Sequence, residues 1–276
     1  MDTMLLEYAR LQRSVQPYAI VDPSPKNDFA GVATYRTINA AIGAGHTWIR
    51  LAAGTHAPFS CAVADVTIEG PKTAIIDGGT TAHAAYITAA NFTIRGVTLR
   101  TTGGAGNDYD AIHCAASYLT VEQVWIDDAD RIGIYVTNGS LHKILDSYIS
   151  GTDSAGIAID GTAGGQVYSP TVSRCYVGSS ALGNGIYFDK VSNGSIHSCQ
   201  SVAHAGSGIV IGYSGTTQAI SIQDNWLASN GAYGLQIYQT GSAGNHNIGN
   251  NIYNGNATAA KDQRTNSSTD ADEESF

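Results

Sequence analysis

The sequence carries little charge and few cysteines for its length. Asp, Glu, Lys and Arg make up only 13% of its 276 residues, which is low for a globular enzyme. Hydrophobic residues nevertheless reach 43%, and the 32 glycines favour a repetitive β architecture with a core of its own. The sequence has too few and too scattered cysteines for a disulfide framework or a CxxC zinc site, namely Cys61, Cys114, Cys175 and Cys199.

The sequence also lacks a basic cluster and a long apolar run. Its formal net charge is −9, to which four acidic residues among the last seven contribute. Without a basic stripe, nucleic acid is not expected as a partner. Without an apolar run of sufficient length, no membrane span is expected. An acidic body would also repel a polyuronate unless a cation bridged the two.

The N-terminal residues contain no basic segment followed by an apolar core and a small-residue cleavage site. We therefore expect no signal peptide, and the sequence leaves a cytoplasmic location open. Residues 4–15 carry an amphipathic stripe instead, and Thr37 to Gly43 predict a second short helix that ends at a glycine cap. Either helix can cover the end of a repetitive β structure.

Two short motifs recur along the chain with the same mean period. A Gly-Ile-x-apolar element begins at Gly133, Gly156, Gly185, Gly208 and Gly234, with an earlier copy at Ala111. An Ile/Val-x-x-small-x-apolar element begins at Ile68, Ile94, Val121, Ile144, Val172, Ile196, Ile222 and Ile248. Successive copies are 22 to 29 residues apart, and each reads as a short strand bounded by turn residues. A single coil of such strands cannot bury its apolar face, whereas stacked coils form a continuous core.

The repeat therefore predicts an all-β fold, a single-stranded right-handed parallel β-helix of about eight coils with an N-terminal helical cap. Residues 1–46 are expected to form the capping helices and lead-in, residues 47–255 the β-helix and residues 256–276 a polar acidic tail. Equivalent positions should stack into columns. One predicted internal column, with buried free thiols at its centre, consists of Val97, Val124, Ser147, Cys175, Cys199, Asn225 and Asn251.

The beginning of the repeat resembles the opening motif of the pectate-lyase-like superfamily. TYRTINAAI at residues 34–42 resembles its capping helix, and WIRLAAGTH at residues 48–56 resembles the strand that follows. The resemblance implies the β-helix fold but not the activity, since the superfamily contains lyases, glycoside hydrolases, esterases, epimerases, phage tailspikes and non-catalytic members. The paired Gln-containing motifs of the pectin methylesterases are absent, which argues against an esterase. It also implies an extracellular or virion-associated location and is compatible with a tailspike-like homotrimer.

Outward-facing positions of the Gly-Ile element predict a shallow groove along one side of the β-helix. The third positions form the column His113, Tyr135, Ala158, Tyr187, Val210 and Gln236. The fifth positions form the column Ala115, Thr137, Asp160, Asp189, Gly212 and Tyr238. Because neighbouring coils lie about 4.8 Å apart, two carboxylates should be adjacent on one column and an imidazole and a phenol on the other.

These columns supply the predicted site. The expected catalytic residues are Asp160, Asp189, His113 and Tyr135, and the expected substrate-binding residues are Tyr187, Lys190, Gln236 and Tyr238. Two carboxylates about 5 Å apart suit a retaining glycosidase, whereas a lyase needs a base for the proton next to a uronate carboxyl. Aspartates at strand ends are also ordinary turn residues, which leaves a structural interpretation open.

The sequence thus favours a protein that binds an extended polysaccharide along its side, and a lyase or glycoside hydrolase if it is an enzyme. The alternative is a non-catalytic structural or adhesion β-helix. No cofactor is firmly implied; Ca²⁺ is the ion that the acidic run Asp127, Asp128 and Asp130 could take, since it prefers oxygen ligands. The segment Tyr109 to His113 resembles the Tyr/Asp/His cluster of the mannuronan epimerases.

Overall fold

The structure is a computed structural model that describes residues 18–24, 32–102, 108–161, 165–238, 242–263, 270–271 and 274–275. Each coil contributes one strand to each of three parallel sheets, here named A, B and C, and a short fourth sheet, D, joins the later coils. Strands of successive coils pair in register. The result is the predicted parallel β-helix of about eight coils.

The strands are short because each spans only one side of the coil. Sheet A consists of Thr34–Tyr35, Ala19–Val21, Trp48–Leu51, Thr67–Glu69, Thr93–Arg95, Thr120–Glu122, Lys143–Leu145, Thr171–Ser173, Ser195–His197, Ser221–Gln223, Asn247–Gly249 and Asp270–Ala271. Sheet B consists of Gly54–His56, Ala74–Asp77, Thr98–Arg100, Trp125–Asp128, Tyr148–Thr152, Tyr176–Ser180, Gln200–Val202, Trp226–Ala228, Ile252–Asn254 and Glu274–Ser275. Sheet C consists of Phe59–Cys61, Ala85–Ile87, Ile112–Cys114, Ile132–Val136, Ala155–Asp160, Asn184–Asp189, Ile209–Ile211, Tyr233–Ile237 and Ala259–Gln263. Sheet D consists of Val167–Tyr168, Val191–Ser192, Thr217–Gln218 and Ser242–Gly244.

Both repeats place their apolar residues in the interior. All the Gly-Ile copies lie on sheet C, where Ile134, Ile157, Ile186, Ile209 and Leu235 pair in register, which confirms the repeat alignment. The second element lies on sheet A, and its first residues form a fully or almost fully buried column of Ile68, Ile94, Val121, Ile144, Val172, Ile196, Ile222 and Ile248. Because side chains alternate along a strand, the residues between them face outward.

The corner between sheets A and B is built the same way on successive coils. One residue there adopts a left-handed backbone conformation with φ between 50° and 57°, at Gln123, Asp146, Arg174, Ser198, Asp224 and Asn250. The next residue is buried and belongs to the predicted internal column. Asn225 Nδ2 donates to Asn251 Oδ1 at 2.9 Å, and the backbone N–H of Cys199 donates to Asn225 Oδ1 at 2.9 Å. Side chains thus satisfy backbone groups that the tight corner leaves outside the sheets.

The thiols of the internal column are core residues, as expected. All four cysteines are buried and unpaired in the structure. Cys175 and Cys199 occupy equivalent positions on adjacent coils, just before the paired residues Tyr176 and Gln200. Burial raises the pKa of the Cys114 thiol to about 11, so this sulfur stays protonated at neutral pH.

One helix covers the first coil. Helix α1 (Ile38–Gly43) begins after Thr37, whose hydroxyl accepts a hydrogen bond from the backbone N–H of Ala40 at 3.2 Å. It confirms the predicted second capping helix, although its C-cap is Ala44 rather than the glycine. The predicted helix at residues 4–15 lies outside the described residues. At the other end, strand pairing continues on all three sheets beyond residue 255. No helix in the described part of the chain has the length and apolar character needed to cross a membrane.

Candidate functional site

The outer face of sheet C carries the predicted third-position column. His113 pairs with Tyr135, and Tyr135 pairs with Ala158, as the repeat predicts. The column also extends towards the N-terminus, because Tyr86 pairs with His113 on the coil before. Aromatic and imidazole side chains therefore follow one another along three successive coils.

A buried carboxylate, Asp110, lies beneath this part of the column. Its side chain is 0% exposed and accepts two hydrogen bonds from the guanidinium of Arg131, from Nε at 2.8 Å and from Nη2 at 2.7 Å. His113 Nδ1 lies 2.8 Å from the same carboxylate. A buried charge needs such partners, because an unpaired one would cost several kcal/mol. The Arg131 side chain in turn covers the ring of Tyr135, with Cζ 4.9 Å from the ring centroid.

The contact with Asp110 sets the tautomer of His113. Since a carboxylate can only accept, Nδ1 carries the proton and donates it, which leaves Nε2 with a lone pair. The side chain is 17% exposed, so the imidazole is partly open to solvent. Its ring is fixed from two sides, by Tyr135 and Tyr86, each with a centroid separation of 5.2 Å. An imidazole held by a carboxylate in this way is suited to act as a general base.

A second imidazole completes the cluster. His83 Nδ1 accepts a hydrogen bond from the backbone N–H of Asp110 at 2.8 Å, and its ring centroid lies 4.8 Å from that of His113. Burial lowers the pKa of His83, while the carboxylate of Asp110 opposes that change. At neutral pH we therefore expect a neutral His83 whose Nε2–H is available as a donor.

The cluster has the composition of a metal site but does not fit one. Ligand atoms of His83, Asp110 and His113 lie within 4.8 Å of one another, and among the described residues this is the one group of three with that spacing. However, the Asp110 carboxylate is already bonded by Arg131, and His83 Nδ1 accepts an amide proton. The guanidinium would also repel a cation. Two imidazoles and one carboxylate are a poor set for Ca²⁺ in any case, since that ion prefers six to eight oxygens.

The acidic run on the neighbouring coil is not a preformed Ca²⁺ site within the part of the chain that the structure describes. Burial raises the pKa of Asp128, and the nearby carboxylates of Asp153, Asp127 and Asp130 raise it further. Burial also raises the pKa of Asp130, although the backbone of Tyr109 opposes that change. The carboxylates thus repel one another, yet no three of them bring ligand atoms within reach of one ion.

The two predicted aspartates are adjacent, but Asp160 is partly exposed whereas Asp189 is buried. Asp160 pairs with Asp189 across two coils of sheet C, as predicted. The expectation that both carboxylates are accessible is wrong for Asp189, which is 0% exposed because the next coil's turn closes over it. Its carboxylate accepts five hydrogen bonds, from the backbone N–H groups of Lys190, Ser214 and Gly215 and from the hydroxyls of Tyr187 and Ser214.

The predicted substrate-binding residues lie further along sheet C than His113. Tyr187 is separated from Tyr135 by the intervening coil, where Ala158 is 3% exposed. Burial raises the pKa of the Tyr187 phenol most, and the nearby carboxylates of Asp189 and Asp160 raise it further. Its hydroxyl donates to Asp189 at 3.2 Å, so Tyr187 also helps to hold the buried carboxylate in place.

Lys190, Gln236 and Tyr238 also have neighbours within the chain. The aliphatic part of Lys190 lies across Gly215, where a side chain would collide with it. Gln236 Oε1 accepts a hydrogen bond from the Ser207 hydroxyl at 3.0 Å. Tyr238 packs edge-on against Tyr213, with ring centroids 4.9 Å apart. These residues form a second stretch of the same face, and the structure does not bring them to the His113 cluster.

A cleft of about 290 Å³ lies beside the cluster on the N-terminal side. Its lining includes His83, Tyr86, Tyr109, Phe59 and Ser60. His83 is shared by the cleft and the cluster, so a ligand in this cleft would contact the imidazole that lies next to His113.

Sequence reasoning missed four members of this site: His83, Tyr86, Asp110 and Arg131. Tyr86 stands 27 residues before His113, within the repeat spacing, but its copy of the element reads Ala-Ala-Tyr-Ile and lacks the glycine. In the sequence, Asp110 stands out only as part of the segment that ends at His113. No sequence signal pairs it with Arg131, which contacts it from the next coil.

Three solved structures share this fold at low sequence identity. The pectate lyase Pel9A superposes with a TM-score of 0.66 at 12% identity, over 92% of this chain and 81% of its own. The Dettilon tailspike protein gives 0.64 at 17% identity, over 84% of this chain and 50% of its own. The enzymatically active domain of tailspike protein 2 from bacteriophage CBA120 superposes with a TM-score of 0.62 at 14% identity, over 86% of this chain and 41% of its own. The chain therefore spans half or less of these tailspike chains, and the likeness establishes the fold alone.

Sequence comparison identifies the family to which the chain belongs. No curated protein matches the sequence significantly. The family described as right handed beta helix region matches residues 110–276, which is more than half of the chain. This match agrees with the stacked parallel coils of sheets A, B and C, and the chain belongs to the right-handed β-helix family.

Proposed function

We propose that this protein binds a polysaccharide along the outer face of sheet C and cleaves it by β-elimination, with His113 as the base. The observation that carries the proposal is the contact between His113 Nδ1 and the buried carboxylate of Asp110 at 2.8 Å. It orients the partly exposed imidazole and leaves Nε2 as the acceptor.

The proposed reaction needs a base, an acid and a stabilised carboxylate. Nε2 of His113 takes the proton from the sugar carbon next to the uronate carboxyl. The bond between the neighbouring carbon and the glycosidic oxygen then breaks, and a carbon–carbon double bond forms in the sugar ring. Tyr135 donates its phenolic proton to the leaving oxygen and is reprotonated from solvent. Burial raises the pKa of Tyr135, so the phenol is protonated and able to donate.

Arg131 supplies positive charge where the reaction develops negative charge. Its side chain is 28% exposed, and its Nε and Nη2 atoms bind Asp110, so Nη1 lies outside that pair. Abstraction of the proton shifts electrons onto the uronate carboxylate, which a nearby guanidinium stabilises. The proposed substrate class is therefore a uronate-containing polysaccharide.

Elimination is better supported than hydrolysis by the state of the carboxylates. A retaining or inverting glycosidase needs two carboxyl groups that both reach the substrate. Asp189 is buried and accepts five hydrogen bonds, so it cannot serve as one of them without breaking the turn. Asp160 alone does not make a glycosidase pair.

The family and the fold neighbours are consistent with this proposal. One neighbour is named a pectate lyase, and another is named the enzymatically active domain of a tailspike. A polysaccharide-processing protein of this kind would act outside the cell or on a virion, which is the location we propose. A tailspike-like trimer remains the proposed assembly.

The second candidate is a non-catalytic β-helix that only adheres to a glycan. The bonds of Asp189 to the turn at Ser214 and Gly215 favour it, because they show that a predicted catalytic residue has a structural task. This candidate shares the groove but needs no base. Cleavage assays separate the two.

The test is turnover of a polysaccharide panel by wild type, His113→Gln and Tyr135→Phe. The panel contains polygalacturonate, alginate, hyaluronan and neutral dextran, each with Ca²⁺ and with EDTA. Reducing ends and the ultraviolet absorbance of unsaturated ends are both measured. His197→Gln is the matched control, since His197 lies on sheet A and contacts Ser173 rather than the groove.

We expect unsaturated ends from at least one polyuronate. His113→Gln should lose about 100-fold or more of the turnover, because general-base catalysis contributes that much, while His197→Gln keeps it. A loss of activity in EDTA would indicate that a cation bridges the acidic body and the substrate. Binding without cleavage would favour the adhesion protein, and full activity of His113→Gln would remove the proposed base.

A further inference from the structure

We propose that a cleft between Trp125 and Tyr148 on sheet B is a second glycan-binding site, separate from the groove on sheet C. The inference rests on the proposed function, because its ligand is a sugar residue of the same polysaccharide. The site would hold the polymer on the protein independently of the cleavage step. Its residues belong to none of the columns discussed above.

Sheet B carries an aromatic column on its outer face. The residues in register along it are Thr98, Trp125, Tyr148, Tyr176, Gln200, Trp226 and Ile252. Tyr148 is 39% exposed and Trp226 is 45% exposed. Three consecutive aromatic side chains at the coil repeat of about 4.8 Å form a ladder on the surface.

Part of this ladder is rigid. The ring of Tyr176 lies over Gly178, where an added Cβ would come within 2.8 Å of the ring. The ring of Tyr148 stacks on that of Tyr176, with centroids 4.8 Å apart and an angle of 4° between the planes. One face of Tyr148 is therefore covered by Tyr176, and its other face is turned towards the coil of Trp125.

The ladder is interrupted at the next step. Trp125 and Tyr148 pair in register, yet no ring contact joins them within the described part of the chain. A cleft of about 240 Å³ lies there instead, lined by Trp125, Tyr148, Lys72, Asp127 and Thr98. Lys72 Nζ lies 4.7 Å from the centroid of the Trp125 ring. The cleft thus combines two aromatic rings with an ammonium group and a carboxylate.

This combination matches a sugar ring better than an apolar or a nucleic acid ligand. The C–H faces of a pyranose gain from contact with aromatic rings, while its hydroxyl groups can accept from Lys72 and donate to Asp127. An apolar protein surface would remove both charges from water without pairing them, which is costly. Nucleic acid is disfavoured because the sequence has no basic stripe to bind a phosphate backbone.

The experiment measures retention of the polymer in a background that does not cleave it. His113→Gln protein is compared with the same protein carrying Trp125→Ala, Tyr148→Ala or Trp226→Ala. Migration in native gels containing polygalacturonate or alginate gives an apparent Kd, and circular dichroism checks the fold. Trp226→Ala is the matched control, because Trp226 lies on the same column four coils from Trp125, about 19 Å away.

We expect Trp125→Ala and Tyr148→Ala each to raise the apparent Kd about three- to tenfold, and Trp226→Ala to leave it unchanged. Unchanged retention of the first two variants, with polymer still bound, would overturn the second site and leave the proposed cleavage intact. A changed oligomeric state of Trp125→Ala in light scattering would also overturn it, in favour of contact between copies of the chain. If wild type neither cleaves nor retains any polymer of the panel, the proposed function and this inference fail together.

Discussion

Two buried aspartates, Asp110 just before one strand of sheet C and Asp189 at the end of another, have different partners and therefore different roles. Asp110 is bonded by a guanidinium and an imidazole, whereas Asp189 accepts hydrogen bonds from backbone groups and hydroxyls of a turn. A carboxylate paired with titratable side chains can influence their chemistry. A carboxylate that accepts from backbone N–H groups holds the chain in place.

Replacement of Asp189 by Asn should lower stability. The amide keeps one acceptor oxygen but presents an NH₂ group to donors such as the backbone N–H of Gly215. We expect the free energy of unfolding to fall by about 1.5–3 kcal/mol, as for lost hydrogen bonds to a charged group. Urea unfolding of Asp189→Asn, with the exposed Asp224→Asn as control, measures this. Equal stability of the two variants would contradict the assigned role.

Buried histidines should make the protein sensitive to mild acid. Burial lowers the pKa of His142, His204 and His246 to about 4 in the folded chain, against an ordinary value near 6.5. Between these values the unfolded state binds more protons, so stability falls as the pH drops from about 6.5 towards 4. Protonation of each histidine can lower the free energy of unfolding by up to about 3 kcal/mol by about pH 4.

Urea unfolding at pH 7 and at about pH 4.5 tests this prediction. The free energy of unfolding should be lower at the acid pH, and His142→Gln should show a smaller difference between the two values. His142 accepts from the backbone N–H of Leu119 at 3.4 Å, so the variant also loses some stability at both pH values. A stability that stays constant or rises on acidification would contradict the burial argument.

At the scale of elements, the corner between sheets A and B depends on its ladder. Asn225 donates to Ile196 O and to Asn251 Oδ1, and it accepts from the backbone N–H of Cys199. Asn225→Ala should therefore leave the buried backbone N–H of Cys199 without its side-chain acceptor and remove a donor from Ile196 O. We expect a loss of about 2–4 kcal/mol in unfolding free energy, measured against the exposed Asn247→Ala. A loss no greater than that of the control would show that the ladder adds nothing to stability.

The sequence predicts the elements well because the repeat is dictated by burial. Each inward position, such as Ile157 or Ile186, must be apolar and must recur once per coil, so its spacing is visible. The column from Val97 to Asn251 is predicted for the same reason. Tyr86 is not predicted as a member of the outward column, because its strand lacks the glycine of the later copies. Buried positions therefore form a regular pattern in the sequence, whereas the functional residues at the surface do not.

The candidate site could be predicted only in part, for a related reason. His113 and Tyr135 follow from the column, since outward positions on adjacent coils must be neighbours. The burial of Asp189 cannot be predicted from the column, because it depends on the path of the turn at Ser214 on the next coil. The contact of Asp110 with Arg131 likewise joins residues just before two strands, where the repeat fixes no side-chain direction.

At the scale of the whole molecule, the proposed functions occupy two faces of one rigid solenoid. The His113 cluster and its cleft lie on sheet C, and the Trp125 cleft lies on sheet B. Stacked coils keep such sites at fixed separations, because each strand is paired on both sides. An extended polymer could therefore engage both faces without a change in the fold.

The central claim is that the polymer is cut by elimination at His113, and digestion in heavy-oxygen water tests it most directly. Elimination adds no water, so mass spectrometry of polyuronate products sampled before their reducing ends exchange oxygen with the solvent should show unsaturated ends and no heavy oxygen at the cleaved bond. Hydrolysis would place one heavy oxygen in every product pair. Products labelled in this way, or unsaturated products formed equally fast by His113→Gln, would contradict the account.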